Sequence, residues 1–348
     1  MSASWSDKLT GMTWLAIDVG GANLKAADGR GWARSMPFAL AREPERLAAE
    51  LGVLVTAAPP SSRLAVTMTG ELCDSFHTKA DGVRHILGAV EAVAAGQEVL
   101  VYLVDGRFAS VDTARQKPLL AAASNWHALA RFACRFFAER SGLVIDVGST
   151  TTDLVPIAGG RVVARAATDT ERLMAGELVY SGVVHTPLSA LVPALPWRGR
   201  ECPVAGDCFA TTADAYVLLG ETSEREVSAW SPDGRPLTRT YAQARLARMI
   251  CADNSTFGER DALVAARAVR VAQLAQLHKA AQQVTSALKQ PADCFVICGA
   301  GEFLARRMIS AGWPASRVVS LAKELGPEVS ACAPAHALAV LAGERGSE

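Results

Sequence analysis

The chain has 348 residues and 36.6 kDa, with 35 Lys and Arg set against 35 Asp and Glu and a pI near 7.0. At roughly 150 residues per domain that length suggests two domains, and a 50% hydrophobic content with mean hydropathy +0.18 supplies core for both. Charge neutrality argues against nucleic-acid binding, which needs a basic footprint, and no run of about 18 apolar residues offers a membrane span.

The opening stretch has a short apolar run cut by Asp18 and lacks a basic leader, so no secretory signal is expected. Residues 15–25 read as an apolar strand, a turn at Gly20-Gly21 and a second strand, followed by the turn signal Asp28-Gly29 and a third strand over 32–38. Helical spacing follows over 42–56, then short buried strands over 63–69 and 98–104. A helix is expected over 125–140, with Trp126, Leu129, Phe132, Ala133 and Phe136 on one stripe. Residues 143–153 repeat the first hairpin, with a third strand over 161–166. The Pro-, Arg- and Gly-rich segment 187–236 reads as an insertion or lid. A long Ala-rich helix over 261–288, a strand over 294–298, a Gly299-Ala300-Gly301 turn, a helix from 302 to 311 and a last helix over 334–342 complete the chain. Strands alternating with helices predict an α/β fold with mostly parallel sheets. The duplicated hairpin, offset by 128 residues (Asp146 minus Asp18), predicts two similar halves.

Eight cysteines (73, 134, 202, 208, 251, 294, 298 and 332) form no C-x-x-C pair, so they read as reduced thiols of a cytoplasmic protein. Cys202 and Cys208 lack the spacing of a zinc knuckle. A turn such as Asp-Val-Gly-Gly-Ala-Asn can aim successive backbone N–H groups at one anion, and glycine lets that anion approach closely. Asn23, Ser149, Thr150 and Thr151 add donors, and Lys25 a point charge. An aspartate before each turn repels phosphate directly but can hold Mg²⁺ or its waters. Trp126 suits either core packing or substrate stacking. Glu71 follows a strand directly, where α/β folds place ligand-facing groups. His185 could serve as a base, but a lone histidine is more often structural, and Arg198 and Arg200 read as solvated charge unless a lid brings them to phosphate.

These motifs resemble the actin-like ATPase superfamily, whose fold is two ribonuclease-H-like domains around a central cleft. The resembling segments are residues 18–23, residues 146–153 and Cys298-Gly299-Ala300-Gly301. The resemblance implies a first domain over 1–141, with the terminal helix 334–345 packing back on it. A second domain over 142–333 would carry the insertion. Residues 146–153 are most similar to the hydantoinase/oxoprolinase branch. Residues 67–72, 122–126, 176–187 and 209–214 resemble its short members linked to methanofuran synthesis and tetrahydromethanopterin-dependent one-carbon metabolism. Gly70 and the Cys202/Cys208 segment depart from that pattern.

By resemblance the reaction is a transfer: an aminomethyl-furanmethanol diphosphate is joined to the phenol of γ-glutamyltyramine, tyramine or tyrosine, and diphosphate leaves. The implied roles are Asp18 and Asp146 for metal handling, with Glu71 as the third catalytic group. Gly20, Gly21, Asn23, Lys25, Gly148, Ser149, Thr150, Thr151, Gly299, Ala300 and Gly301 would bind diphosphate or nucleotide. Thr69, Asn125, Trp126 and Asp214 would form the substrate pocket. Mg²⁺ is the implied cofactor, with ATP admitted but not required. Small molecules are the implied partners, and a homodimer is compatible. Two other classes fit the same turns: an ATP-dependent small-molecule kinase and a nucleotide-switched binding protein. The chain lacks a sugar-kinase cysteine cluster and an appended peptide-binding domain.

Overall fold

The computed structural model describes residues 13–225 and 231–345; most of the opening stretch and five residues of the insertion lie outside them. The first half comprises β1 (Trp14–Val19), β2 (Asn23–Ala27), β3 (Ala33–Pro37), α1 (Leu47–Thr56), β4 (Arg63–Met68), α2 (Lys79–Ala94), β5 (Glu98–Tyr102), β6 (Phe108–Ser110), α3 (Val111–Gln116), α4 (Pro118–Ala121) and α5 (Asn125–Ala133). The second contains β7 (Ser141–Val147), β8 (Thr152–Ala158), β9 (Arg161–Val162), α6 (Asp169–Ala175) and β10 (Leu178–Val179). There follow β11 (Ala194–Trp197), β12 (Arg200–Pro203), α7 (Thr212–Leu218), α8 (Arg239–Met249) and α9 (Glu259–Thr285). Last come β13 (Cys294–Cys298), α10 (Glu302–Gly312), β14 (Arg317–Ser320), α11 (Leu321–Leu325), α12 (Pro327–Ala331) and α13 (Ala333–Arg345).

The two large sheets share one plan. In the first, the order is β3-β2-β1-β4-β5-β6, with β1 antiparallel to β2 and parallel to β4. In the second, the order is β10-β8-β7-β13-β14, with β7 antiparallel to β8 and parallel to β13. An antiparallel hairpin extended by two parallel strands, with helical crossovers, is the ribonuclease-H-like arrangement, and here it occurs twice. The register carries the repeat to individual residues: Asp18 faces Lys25 across its hairpin, and Asp146 faces Asp153 across the other.

Burial explains why the two sheets stack. On β7 and β13 alternate residues point to opposite faces. Leu143, Ile145, Phe295 and Ile297 meet α9 and α10, while Val144 and Val296 meet Trp126, Leu129 and Phe132 of α5 and Ala337 of α13. On the first sheet, Ile17, Leu24 and Val66 pack with Leu51, Ile86 and Val90 of α1 and α2. Its other face, at Ala16 and Tyr102, packs on Leu338 and Ala342 of α13. The layer formed by α5 and α13 is therefore shared by both sheets, which leaves the strand ends that carry the glycine turns beside one seam. Every residue of β1 is buried, as a strand covered on both faces requires.

Several boundaries differ from the sequence reading. The strand expected over 161–166 stops at Val162, because the backbone N–H of Arg165 bonds the Glu177 carboxylate instead of a strand neighbour. The helix expected over 125–140 ends at Ala133 and continues as one 3-10 turn through Phe136, whose ring is only half-buried. Residues 42–56 form a 3-10 turn and then α1. The segment expected as a lid over 187–236 belongs to a larger packed unit: Leu188, Leu195, Ala210, Leu246 and Phe257 share a core with Val269 of α9. The long helix α2 had no counterpart in the sequence reading; its moderate apolar stripe begins behind a Thr78 cap.

Candidate functional site

The two glycine turns are the same object built twice. In the first, the N–H of Gly20 donates to the Asn23 carbonyl at 3.0 Å; in the second, the N–H of Gly148 donates to the Thr151 carbonyl at 2.9 Å. A Cβ on Gly20 would lie 2.8 Å from that carbonyl oxygen, which explains the absence of a side chain there; one on Gly148 would lie 3.3 Å from its counterpart, a tight contact that a small shift could relieve. Among the described residues, no protein acceptor takes the backbone N–H of Gly21, Ala22, Ser149 or Thr150. Polar N–H groups without a protein partner need water or a ligand.

The parallel neighbours of β1 and β7 close over the strand ends in matching ways. The N–H groups of Thr69 and Gly70 both donate to Val19 O, and that of Gly301 donates to Val147 O. Gly70, the departure noted in the sequence, is explained by crowding: its Cβ would lie 2.7 Å from Leu40 and 3.2 Å from the Gly20 backbone. Gly299 has φ +85°, and a Cβ there would lie 2.3 Å from Asp146 Oδ1. The Gly299–Gly301 turn thus lies directly against the second aspartate.

Three aspartates and one lysine share the seam. Asp18 is buried, and its Oδ1 has no hydrogen-bond partner. Burial raises its pKa, opposed by the Lys25 ammonium and by the Asn125 side chain. Burial likewise raises Asp146 to about 6, opposed by the same lysine. Lys25 feels burial against its charge, but Asp18 and then Asp146 outweigh it, and its pKa is raised. One cation therefore acts on two carboxylates from opposite halves without forming a close ion pair with either, and both keep raised pKa values. Asp153, the repeat partner of Lys25, has its own cation: Arg172, 2.8 Å away and 1% exposed.

The expected pocket residues divide. Asn125 reaches Asp18, and α5 is anchored there by the buried Ser124 hydroxyl, which bonds Thr67 at 2.8 Å and the Tyr102 carbonyl at 3.0 Å. Thr69 is exposed beside Gly20. Glu71 is 1% exposed, with neither carboxylate oxygen hydrogen-bonded, and burial lifts its pKa to about 7. Asp169 raises it further while Lys79 lowers it, and those two pair at 2.9 Å across the halves.

Trp126 and Asp214 require correction as pocket walls. Trp126 is buried, and the Arg172 guanidinium covers its ring at 4.0 Å, so the indole packs the seam. Both oxygens of Asp214 are engaged: Oδ1 accepts from Arg245 at 2.6 Å, and Oδ2 accepts from the Thr211 N–H at 3.0 Å. It holds the inserted unit together. Arg198 stacks on Trp197 at 4.5 Å and donates to the Thr256 carbonyl. The eight cysteines are free thiols.

Sequence reasoning missed Arg172 and Gln273. Gln273, fully buried in α9, donates to Ser181 Oγ at 2.8 Å and to the Gly182 carbonyl at 2.9 Å. Gly182 is pressed onto the second turn, its would-be Cβ 2.5 Å from Ser149 and Thr150 backbone. The N–H groups of Val183 and Val184 then bond the Gly148 and Ser149 carbonyls, holding that turn from behind. The available signal was position: Gln273 falls on the buried stripe of α9, four residues from both Val269 and Leu277, unlike the helix's many other polar residues.

The doubled fold with its facing turns defines the class. A family model for hydantoinase/oxoprolinase matches residues 63–344, and the chain belongs to that family. It is similar to the (4-{4-[2-(gamma-L-glutamylamino)ethyl]phenoxymethyl}furan-2-yl)methanamine synthase of Methanocaldococcus jannaschii, at 31% identity over 94% of this chain and 96% of that one. The protein of the same name from Methanococcus vannielii is 27% identical over 58% of this chain and 91% of that one. Among solved structures, a nucleotide-free acetone carboxylase aligns with TM-score 0.50 at 10% identity, covering 94% of this chain and 70% of that one, a likeness of fold alone. With two synthases aligned to it, the chain is an enzyme. No helix among the described residues is long and apolar enough to cross a membrane.

Proposed function

We propose that the enzyme forms an ether between a phenol and a furan-methyl carbon, with diphosphate as the leaving group. The acceptor would be the phenol of a tyramine, a γ-glutamyltyramine or a tyrosine. One observation carries the reading. Two turns with acceptor-free N–H groups, one behind the buried Asp18 and one behind the half-buried Asp146, both lie under the charge of Lys25 in a chain aligned over 94% of its length with a synthase. The product in that synthase's name contains a phenoxymethyl-furan ether.

The chemistry follows from charge. The C–O bond to diphosphate breaks and its electron pair leaves with the diphosphate, while the furan oxygen stabilises the carbocation. The free N–H groups of Gly21 and Ala22 with the Asn23 side chain on one side, and those of Ser149 and Thr150 with the Thr151 hydroxyl on the other, would hold the departing oxygens, while Gly20 and Gly148 close the two turns with their own N–H groups; such fixed donors favour the charge as it develops. Lys25 adds a cation that needs no reorientation. The phenol oxygen then bonds the carbon, and its proton passes to Glu71, whose pKa near 7 suits proton transfer at neutral pH. Asn125 would orient the acceptor, with Thr69 at the entrance. The turn of Gly299, Ala300 and Gly301 would bound the furan side.

The donor set suits magnesium. The unpartnered Asp18 Oδ1 and the half-buried Asp146 offer the one or two carboxylates that Mg²⁺ takes when waters and phosphate oxygens complete its shell. Among the described residues no group of three or more acidic, His or Cys side chains forms an all-protein cage. Bound there, Mg²⁺ would neutralise diphosphate charge. The scheme consumes no ATP.

The test is a coupling assay with aminomethyl-furanmethanol diphosphate, tyramine and Mg²⁺, read by product mass and released diphosphate. Ether product without ATP is expected, and Asp146→Ala should remove it while the fold persists. ATP turnover driven by a sugar hydroxyl, with no ether formed, overturns the reading in favour of a kinase.

A further inference from the structure

At the far end of β7 and β8 from the glycine turns lies a second concavity. Its volume is about 690 Å³, within the usual range for small-molecule sites of roughly 300–1,000 Å³. It forms beside β8 between its pairings with β10 and β9, where Leu154 and Pro156 bond Glu177 and Val163, and the end of α9 closes it. The length of β7, about 20 Å at 3.3 Å per residue, separates it from the seam.

The chemistry of this groove is ordered by depth. Glu177 lines it yet is 2% exposed; Oε1 accepts from the Arg165 N–H at 2.7 Å, Oε2 has no hydrogen-bond partner, and the buried Arg172 guanidinium supplies a counter-charge from behind. A buried carboxylate oxygen without a donor is costly and gains from any donor that reaches it. The last turn of the 27-residue α9 also ends here and contains no basic residue, so the negative end of its dipole is uncompensated within the helix. The walls are mixed: Val284, buried, and Met174, 70% exposed, give an apolar strip, and Ser141, Gln283 and Gln290 add polar groups. Arg165 and Lys289 lie exposed on the lining, with Glu139 as the opposing charge there.

We propose that this groove is a second ligand site for a small zwitterion of the amino-acid class, with its ammonium group against Glu177 and its apolar body along Met174 and Val284. Its carboxylate faces Arg165 and Lys289. A neutral hydrocarbon would leave Glu177 Oε2 without a hydrogen bond, and a dianion would meet both the carboxylate and the helix end. The zwitterion alone answers both layers.

The experiment uses the full chain labelled at methionine methyls with carbon-13, the Met174 signal being assigned from Met174→Leu. L-Phenylalanine is the probe, because without a phenol it cannot serve as the acceptor in the seam. Saturable movement of the Met174 signal at millimolar probe is expected, with Met68 in the first sheet unmoved. In Glu177→Gln the affinity should fall about tenfold or more. Ala287→Trp, which fills the groove and keeps Glu177, should abolish the response. 3-Phenylpropanoate, lacking the ammonium, should bind at least about tenfold more weakly. An unmoved Met174 signal in the parent protein, equal binding of the propanoate, or full binding by a folded Ala287→Trp variant each overturns the proposal. Coupling activity in Ala287→Trp reports on the seam separately, so the two readings fail independently.

Discussion

Replacing Glu71 with glutamine should stabilise the protein and disable it together, and the size of the gain depends on pH. The carboxyl group is 1% exposed, lacks hydrogen-bond partners and has its pKa raised by burial from 4.5 to about 7. An acid whose folded pKa exceeds its unfolded pKa keeps its proton longer when folded. Stability is therefore fullest below pH 4.5, declines as pH rises, and levels off above about pH 7. At about 1.4 kcal/mol per pKa unit, the ionised side chain costs about 3 kcal/mol at pH 8 and under about 1 kcal/mol at pH 5. Glutamine fills the same volume without ionising. Urea unfolding of parent and Glu71→Gln at both pH values should give a stability difference that grows towards alkaline pH. In the parent, kcat/KM should rise through about pH 7 as the base ionises, and the variant should lose most of its turnover. A pH-independent stability difference, or an unaltered pH–rate profile in the variant, refutes the reasoning.

Two further predictions separate structural from catalytic positions. Gly299→Ala should destabilise by at least about 1–3 kcal/mol, since its positive φ is itself strained for alanine and the new Cβ would collide with Asp146 Oδ1. Gly148→Ala, whose Cβ meets only Thr151 O at 3.3 Å, should cost distinctly less in thermal melting. Arg245→Met should cost about 3–5 kcal/mol by leaving Asp214 buried and unpaired. Asp214→Asn with Arg245→Met should recover part of that loss, and the folded fraction should retain its kcat. Loss of turnover in a well-folded Asp214→Asn protein would return that residue to the substrate pocket.

The local reading succeeded where chemistry and backbone coincide. An apolar strand that ends in Asp-Val-Gly leaves few conformations open, so both turns could be located from residues alone. Their spacing revealed the duplication. Burial of Ile17, Val144 and Phe295 also follows from strand patterning. It was less reliable where partners come from afar. The short β9 depends on Glu177 capturing the Arg165 N–H, and the true extent of the inserted unit depends on Val269 of α9. Nothing near Asp214 in sequence announces Arg245, and nothing near Trp126 announces Arg172.

The sequence by itself determined the two halves, their hairpins and the charged residues at the strand ends, because local propensity and the small room at Gly20 and Gly148 act within a few residues. Which charges meet was decided only by tertiary structure. The α5–α13 layer holds the two sheets together, and with that packing Lys25 comes to serve both Asp18 and Asp146 while Arg172 neutralises Asp153. Electrostatic partnership depends on distance and desolvation through space: Asp153 meets Arg172 from 19 positions away, and Lys25 acts on Asp146 from 121 positions away only because the two halves are packed together.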